Sequence, residues 1–353
     1  MMAANAETSV RLPDPRAAFD HLMDHLAEEG IEGEKSGPSS TRIRRMGCQV
    51  EFTYTADALK IDVSAPTKSM LYFLKEGATR HISEFDPIAG EAIRWSQDGD
   101  EASSPLNLHL LKLVRRGVVY PGMTRLTFTG DDLASLATGG IHIKLMVPAE
   151  RSRTPVWPTV GANGVTQWPS GSDRLHVRYY TIRDFRQPEN ELDIDVVEHP
   201  GGRISDWAIN AEPGEVIGVM GPGAGEMPNH PEALLLAGDE TALPAISRIL
   251  SKLDESAQGA VIVAYPEGRD AGEYLPANSL ELVSLPPDRF RSEISGTIHS
   301  AGKMHRFKSA WFGGEFENAQ ALRRLFKQEF KLKKDDQLSV AYWRMGERGN
   351  ADQ

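Results

Sequence analysis

Apolar residues recur along this chain in three rhythms, and each predicts a different kind of folding unit. Near the N-terminus Phe19, Leu22, Met23 and Leu26 fall at helical spacing, after which Val50, Phe52 and Tyr54 alternate with polar residues. That order predicts a strand, a helix and further strands, with a second helix over Pro66 to His81. The polar stretch SQDGDEASSPLN, residues 96–107, has no apolar period and predicts a linker.

From Leu110 onward the rhythm is of short β-rich runs between turns: KLVRRGVVYPGMTRLTFTG, IHIKLMVP, LHVRYYTIRDF, ELDIDVVEHPGG and EVIGVMGPG. Many such strands with little helix predict a small antiparallel barrel or sandwich. After Pro231 strands alternate with helices, in EALLLAGDE, TALPAISRILSKL, GAVIVAYPEG, LELVSL, SAWFGGEF, ENAQALRRLFKQEF and QLSVAYW. This is the pattern of a parallel sheet with helices on its faces. At 353 residues the chain has room for two or three domains. The fold class is therefore multidomain, α+β and α/β: a small N-terminal α+β domain with its linker (1–105), a β domain (106–230) and a C-terminal parallel-sheet domain (231–353).

Charge and cysteine content narrow the chemistry. Lys and Arg total 39 against 50 Asp and Glu, a net charge of -11, which argues against nucleic acid as a partner. Cys48 is the single cysteine, so the chain has no intramolecular disulfide, no Cys-ligated iron–sulfur cluster and no Cys-rich zinc site. Redox chemistry needs a borrowed cofactor. The N-terminus lacks a basic segment followed by an apolar stretch, and no run of about 18 apolar residues occurs, so the expectation is a cytoplasmic protein without stable membrane insertion. His21 and His25 share an i, i+4 face, but Leu22 stands where HExxH has Glu. With Asp24 and Glu28 beside them, they are expected on a solvated face, and no metal site is expected. No Gly-x-Ser-x-Gly elbow is present to support a hydrolase.

Three elements carry candidate chemistry. In HVRYYTIR, residues 176–183, a period-two strand puts Arg178 and Tyr180 on one face, a cation beside an aromatic ring, suited to a ligand with phosphate and a flat ring. Next, His199-Pro200-Gly201-Gly202-Arg203-Ile204-Ser205 forms a Gly-rich turn into a helix, where backbone N–H groups can meet a pyrophosphate; a simple hairpin turn with Ser205 as N-cap is the alternative. In LLLAGDETALPAISRIL a strand ends at Gly238, Asp239 and Glu240, with Thr241 or Ala242 at the cap and Pro244 in the first helical turn. Strand, tight turn and helix N-terminus form the generic nucleotide cradle, although a βα unit without a ligand has the same pattern. GPGAGE, residues 221–226, lacks the third glycine of GxGxxG and runs into two prolines, so it reads as an interdomain connection.

With these elements in order, the chain resembles the siderophore-interacting protein family, FAD-dependent ferric-siderophore reductases related to ferredoxin–NADP reductase. The similar segments are HIKLMVP (142–148), RYYTIR (178–183), HPGGRISDWA (199–208), GDETALPAI (238–246), SAWFGGE (309–315) and YWRMG (342–346). The likeness spans about residues 109 to 346. The N-terminal hundred residues look like a domain of uncharacterised function that accompanies this family.

The resemblance implies an antiparallel FAD-binding β-barrel followed by an NAD(P)H-binding domain. It puts Arg178 on the FAD pyrophosphate, Tyr180 against the isoalloxazine and the Thr181 hydroxyl near flavin N5, with Tyr180 and Thr181 as the catalytic residues. His199, Gly201, Gly202, Ile204, Ser205 and Trp207 complete the FAD site. Gly238, Asp239, Glu240 and Thr241 receive the nicotinamide nucleotide, with Gly314 and Glu315 at the next crossing and Tyr342 and Trp343 near the flavin edge. The implied reaction passes electrons from NADH or NADPH through FAD to Fe(III) in a siderophore or other chelate. A general flavin reductase or electron donor to a protein partner uses the same sites. A non-catalytic siderophore- or haem-binding sensor is the alternative from another class. Anionic ferric chelates call for a basic rim, with candidates Arg115, Arg116, Arg151, Arg153, Arg306 and Lys308. Glu267 suits a ribose 2′-OH and Arg269 a 2′-phosphate, leaving the donor open between NADH and NADPH.

Overall fold

Strand β1 (Ala4–Arg11) and helix α1 (Pro15–Glu28) begin the chain in this computed structural model, which describes residues 4–28, 31–45, 47–96, 104–137, 140–223 and 227–347. They are followed by β2 (Glu34–Gly37), β3 (Ser40–Arg45), β4 (Cys48–Tyr54), β5 (Ala58–Ala65), α2 (Lys68–Phe85) and α3 (Pro87–Ala92). The five strands pair antiparallel in the order β1-β5-β4-β3-β2. Alternation sets their faces: Leu59, Ile61 and Val63 of β5 are buried in one core with Phe19, Leu22 and Leu26 of α1 and Ala78 and Ile82 of α2. The Thr67 side chain caps α2 by accepting from the Met70 amide, and Asp86 ends it while capping α3.

Helix α2 runs to Phe85, beyond the expected end at His81. The expected solvated face is found for His21, which is exposed with Asp24 and Glu28, while His25 is half-buried. The His21 ring lies 5.5 Å from that of Phe85, and the His25 ring lies 4.8 Å from that of His81. On the polar flank of α1 the half-buried His25 meets α2, a contact which the period of α1 alone does not encode.

Strands β6 (Leu108–Tyr120) and β7 (Met123–Gly130), helix α4 (Leu133–Ala137) and β8 (His142–Pro148) come next. The chain then makes an excursion through a short hairpin, β9 (Thr159–Val160) with β10 (Thr166–Gln167). By contact density the molecule divides into Met1–Leu108 with Pro148–Leu175, and His109–Val147 with His176–Gln353. The excursion is anchored in the first unit by Thr166, whose hydroxyl meets the Tyr72 hydroxyl and whose amide donates to Glu76 at 3.2 Å.

In the second unit β11 (Leu175–Thr181), β12 (Asp184–Arg186), β13 (Glu191–Val197), helix α5 (Arg203–Asn210) and β14 (Val216–Gly223) complete a seven-stranded antiparallel sheet, ordered β11-β8-β14-β6-β7-β13-β12. Consecutive amides between β11 and β12 tie its two flanks: Ile182 donates to the Ile141 carbonyl at 3.1 Å and Arg183 to that of Asp193 at 2.9 Å. Leu113, Phe128, Ile143, Leu145, Ile194, Val196, Ile217 and Val219 fill the interior. Gly221 to Gly223, expected in a connection, belong to β14, and residues 224–226 lie outside the described residues.

The remaining elements are β15 (Leu234–Gly238), α6 (Leu243–Leu250), β16 (Gly259–Ala264), β17 (Glu281–Leu285), α7 (Pro287–His305), β18 (Ser309–Glu315), α8 (Phe316–Gln328) and β19 (Gln337–Trp343). The strands are parallel in the order β17-β16-β15-β18-β19. Every residue of β15, β16 and β18 is buried, as helices on both faces require. Helix α7 was not anticipated: Gly296, Gly302 and a polar surface mask the helical spacing of Phe290, Ile294, Ile298 and Ala301, which are buried. Among the described residues no helix is long and apolar enough to cross a membrane.

Candidate functional site

Strand order in the parallel sheet reverses between β15 and β18, so a crevice opens at their C-terminal ends, where Gly238 pairs with Gly313. A Cβ on Gly238 would lie 2.7 Å from the Gly313 carbonyl oxygen and would collide with Ala242. At Gly314, with φ 155°, a Cβ would lie 2.6 Å from Asp239 Oδ2. Glycine is thus required by close approach at both lips of the crevice.

Asp239 organises this end of the sheet. Its side chain accepts from the Thr241 amide at 3.0 Å and from Trp343 Nε1 at 2.7 Å. Burial raises its pKa, against the pull of those hydrogen bonds. Asp239 caps one turn of 3-10 helix over Glu240–Ala242, and Ala242, one of the two expected caps, is the N-cap of α6, with Pro244 in the first turn. The half-buried Glu240 beside it also has its carboxyl pushed up by burial. Glu315 caps α8, accepting from the Glu317 amide at 2.6 Å, while its other oxygen accepts from the Met345 amide at 3.2 Å. Gly238, Asp239, Glu240, Thr241, Gly314, Glu315 and Trp343 are thus gathered at one crevice.

On the barrel side, Arg178 and Tyr180 lie on β11, with the Arg178 guanidinium donating to the Val177 carbonyl at 2.7 Å. Tyr180 packs against the barrel core, and burial raises its pKa. Thr181 ends the strand, buried, with its hydroxyl 3.2 Å from His142 Nδ1. The other nitrogen of that ring, Nε2, lies 3.1 Å from the Tyr342 hydroxyl, and the two rings meet edge to face at 5.5 Å. Burial lowers the His142 pKa to about 4, so the ring is neutral at pH 7. A neutral imidazole donates from one nitrogen and accepts at the other, so its tautomer ties the hydroxyl orientation of Thr181 to that of Tyr342. Tyr342 stands beside Trp343 in the segment that the resemblance puts near the flavin edge, whereas His142 is not among the expected site residues; its one local signal is a histidine opening the apolar run HIKLMVP.

The glycine turn has Gly201 at φ 74° and Gly202 as the N-cap of α5, with no side chain bonded to the helix N-terminus. Ser205 lies in the first turn, not at the cap, and its hydroxyl accepts from the His199 amide at 3.0 Å. The His199 ring folds over Gly202, where a Cβ would fall inside it. Ile204 is buried in the barrel core, and Trp207 packs on that core while its Nε1 donates to Glu215 at 3.0 Å. An uncapped helix N-terminus and a guanidinium suit an anionic phosphate group, and Tyr180 with the Thr181 hydroxyl suits a flat heteroaromatic ring, so the donor set fits FAD.

Several candidates for a basic rim are already paired. Arg115 makes two 2.7 Å bonds to Glu191, Arg153 contacts Asp173 at 2.9 Å and Lys308 contacts Glu232 at 3.3 Å. Arg306 is the left-handed C-cap of α7, and Arg116 is exposed on β6. Arg151 is not without a partner either. Glu267 and Arg269 are both exposed in the loop after β16.

Charged groups that were not assigned a ligand role hold the two sheets of this unit together. Asp195 on β13, its side chain fully buried, accepts from Arg125 Nε and Nη2 at 2.7 and 2.8 Å and from the Tyr274 hydroxyl at 2.7 Å. The Arg183 guanidinium stacks on the Tyr274 ring at 5.0 Å and donates to its carbonyl. Arg248 on α6, buried, donates to the carbonyls of Ile182 and Ala137 at 3.0 and 2.9 Å.

Two family models match the chain in tandem, the siderophore-interacting FAD-binding domain over residues 112–226 and the siderophore-interacting protein model over 231–346. Ferric vibriobactin reductase ViuB of Vibrio cholerae is 30% identical over 267 residues, covering 69% of this chain and 91% of that protein. The NADPH-dependent ferric-chelate reductase of Escherichia coli is 31% identical over 168 residues, 47% of this chain and 65% of that protein. Among solved structures, the siderophore-interacting protein SipS from Aeromonas hydrophila superposes with a TM-score of 0.56 at 29% identity, covering 68% of this chain and 93% of its own. The reversal point of the parallel sheet, the glycine turn and the Arg178–Thr181 strand all lie within the matched segments, and the chain belongs to the siderophore-interacting protein family.

Proposed function

We propose that this chain is a ferric-siderophore reductase that carries electrons from NADH or NADPH through FAD to chelated Fe(III), releasing Fe(II). The observation that carries the reading is the meeting of Thr181 and Tyr342 on the two nitrogens of His142. The end of a barrel strand and the C-terminal edge of the nucleotide sheet thus face one another across a single imidazole.

In this reading residues 106–230 hold FAD and residues 231–353 hold the nicotinamide nucleotide. FAD, when bound, accepts a hydride and gives up single electrons. Arg178 and the uncapped start of α5 bind its phosphates, Tyr180 bears on its ring, and Thr181 presents a hydroxyl whose donor or acceptor role follows the His142 tautomer. His199, Ser205, Ile204 and Trp207 hold the glycine turn in place for Gly201 and Gly202. Gly238 and Gly314 let the nucleotide approach the backbone, while Asp239 orients Thr241 and Trp343. Oxygen chelators hold Fe(II) far more loosely than Fe(III), so one-electron reduction releases the metal with the chelator intact. The acidic chain acts on a soluble iron complex in the cytoplasm, without nucleic acid.

The test is an absorption spectrum of the purified protein, repeated anaerobically after NADH or NADPH and then after a ferric chelate. Flavin bands that bleach with nucleotide and return as Fe(III) is reduced are expected, with saturation in the chelate. Failure to take up FAD overturns the reading in favour of a binding protein. Saturation only by free flavin or a carrier protein overturns it in favour of a general reductase.

A further inference from the structure

In the N-terminal unit, three side chains of metal-ligand type converge where α1 packs on α2. His25 occupies the last turn of α1, while His81 and Glu84 lie three residues apart on α2. The two imidazole rings are 4.8 Å apart between centroids and inclined at 59°. One ligand atom from each of His25, His81 and Glu84 lies within 4.8 Å of the other two. His81 Nδ1 is buried without a hydrogen-bond partner, with Glu84 Oε2 3.4 Å away.

We propose that His25, His81 and Glu84 form a binding site for one divalent first-row transition-metal ion. A buried ring nitrogen without a hydrogen bond is costly, and a shared cation satisfies it directly. Ligand bonds of about 2.0 to 2.2 Å put donor atoms roughly 3 to 4 Å apart around a common ion, so closing the site takes only small side-chain movements. Glu84, half-exposed at its side chain, has the freedom to supply the last of these. Two imidazoles and one carboxylate select ions of the Zn2+ and Fe2+ type over Mg2+ and Ca2+, which favour oxygen ligands. Three protein ligands leave further coordination positions open on the exposed side. His21, one turn earlier, packs on Phe85 and stays outside the cluster.

A bound ion also joins the ends of two helices that are far apart in sequence, so it stabilises the folded unit by mass action. This site is independent of the reductase reading: it uses no residue of the flavin or nucleotide sites, and its test needs no turnover.

The experiment uses the untagged full chain. Calorimetric titration with Zn2+, and anaerobically with Fe2+, is expected to give one saturable site for either ion, with Mg2+ giving none. His25→Gln and Glu84→Gln are each expected to weaken binding at least tenfold and to abolish the metal-dependent rise in melting temperature. X-ray absorption on the zinc-loaded wild-type chain should report two imidazoles and oxygen ligation, a readout that depends on no variant folding. No saturable binding, a coordination shell without imidazole, or affinity unchanged in His25→Gln overturns the proposal.

Discussion

His142 Nε2 lies 3.1 Å from the hydroxyl of Tyr342, and the opposite nitrogen of that ring lies 3.2 Å from Thr181. The contact gives the fold a pH dependence whose sign follows from burial. Desolvation takes the imidazole from its usual 6.5 to about 4 in the folded chain. Between those values the unfolded chain binds a proton that the folded chain does not, so stability falls as pH drops through that window. The full effect is roughly 3 kcal/mol. His142→Asn cannot take up that proton, so the stability advantage of wild type over this variant should shrink from pH 7 to pH 4.5 in paired denaturant titrations. A constant difference would show that His142 takes up its proton as readily in the folded chain as in the unfolded one.

Much of the architecture is legible because its signals are local. The apolar strand LLLAG, its abrupt end at Asp239 and Pro244 in the next turn announce a βα unit from a dozen residues. What the same segment does not show is the part played by Asp239: the 3-10 turn that it caps ahead of Ala242, and Trp343 brought onto its carboxylate, come from the fold. The His142–Tyr342 contact joins residues 200 apart in sequence, and no period in either segment refers to the other. His25 shows the same limit. Its helical spacing pairs it with His21, whereas its spatial partner, His81, comes from another helix.

Arg178 is the cation assigned to the FAD phosphates, and it sits on a strand whose neighbours fix its direction. Arg178→Ala removes a charge-assisted bond of roughly 1.5 to 3 kcal/mol. The dissociation constant for FAD should rise about 10- to 150-fold in a fluorescence titration of the apoprotein. Unchanged FAD affinity would remove Arg178 from the site.

Thr181 is buried and bonded to His142, so its hydroxyl is held where a flavin ring edge would meet the strand end. Thr181→Val keeps the shape and removes the hydroxyl. Stopped-flow reduction by NADH or NADPH should slow about tenfold or more with FAD retention nearly unchanged. A loss of rate explained wholly by lost FAD would contradict the assigned role.

Gly314 has room for no side chain, because a Cβ there would press on Asp239 Oδ2 at 2.6 Å. Gly314→Ala should therefore displace the carboxylate that holds Thr241 and Trp343. Nicotinamide nucleotide affinity should fall at least tenfold while the FAD content of the purified protein stays at the wild-type level. An equal loss of both ligands would mean that the substitution unfolds the unit instead of reshaping one crevice.

Asp195 has no water to replace a lost partner, since its carboxylate is fully buried among Arg125, Tyr274 and Arg183. Removing an anion from such a set leaves the Arg125 guanidinium half-buried and the Tyr274 hydroxyl unsatisfied. Asp195→Ala should cost about 3 to 5 kcal/mol. Tyr274→Phe removes one donor and leaves two guanidinium contacts on the carboxylate, so its cost should be nearer 1 kcal/mol. Because Tyr274 comes from the nucleotide-sheet side and Arg125 from the barrel, the two variants compare the whole junction with one of its bonds. Urea unfolding monitored by tryptophan fluorescence measures both, and similar small losses in the two variants would show that the Asp195 cluster contributes little to holding the barrel and the parallel sheet together.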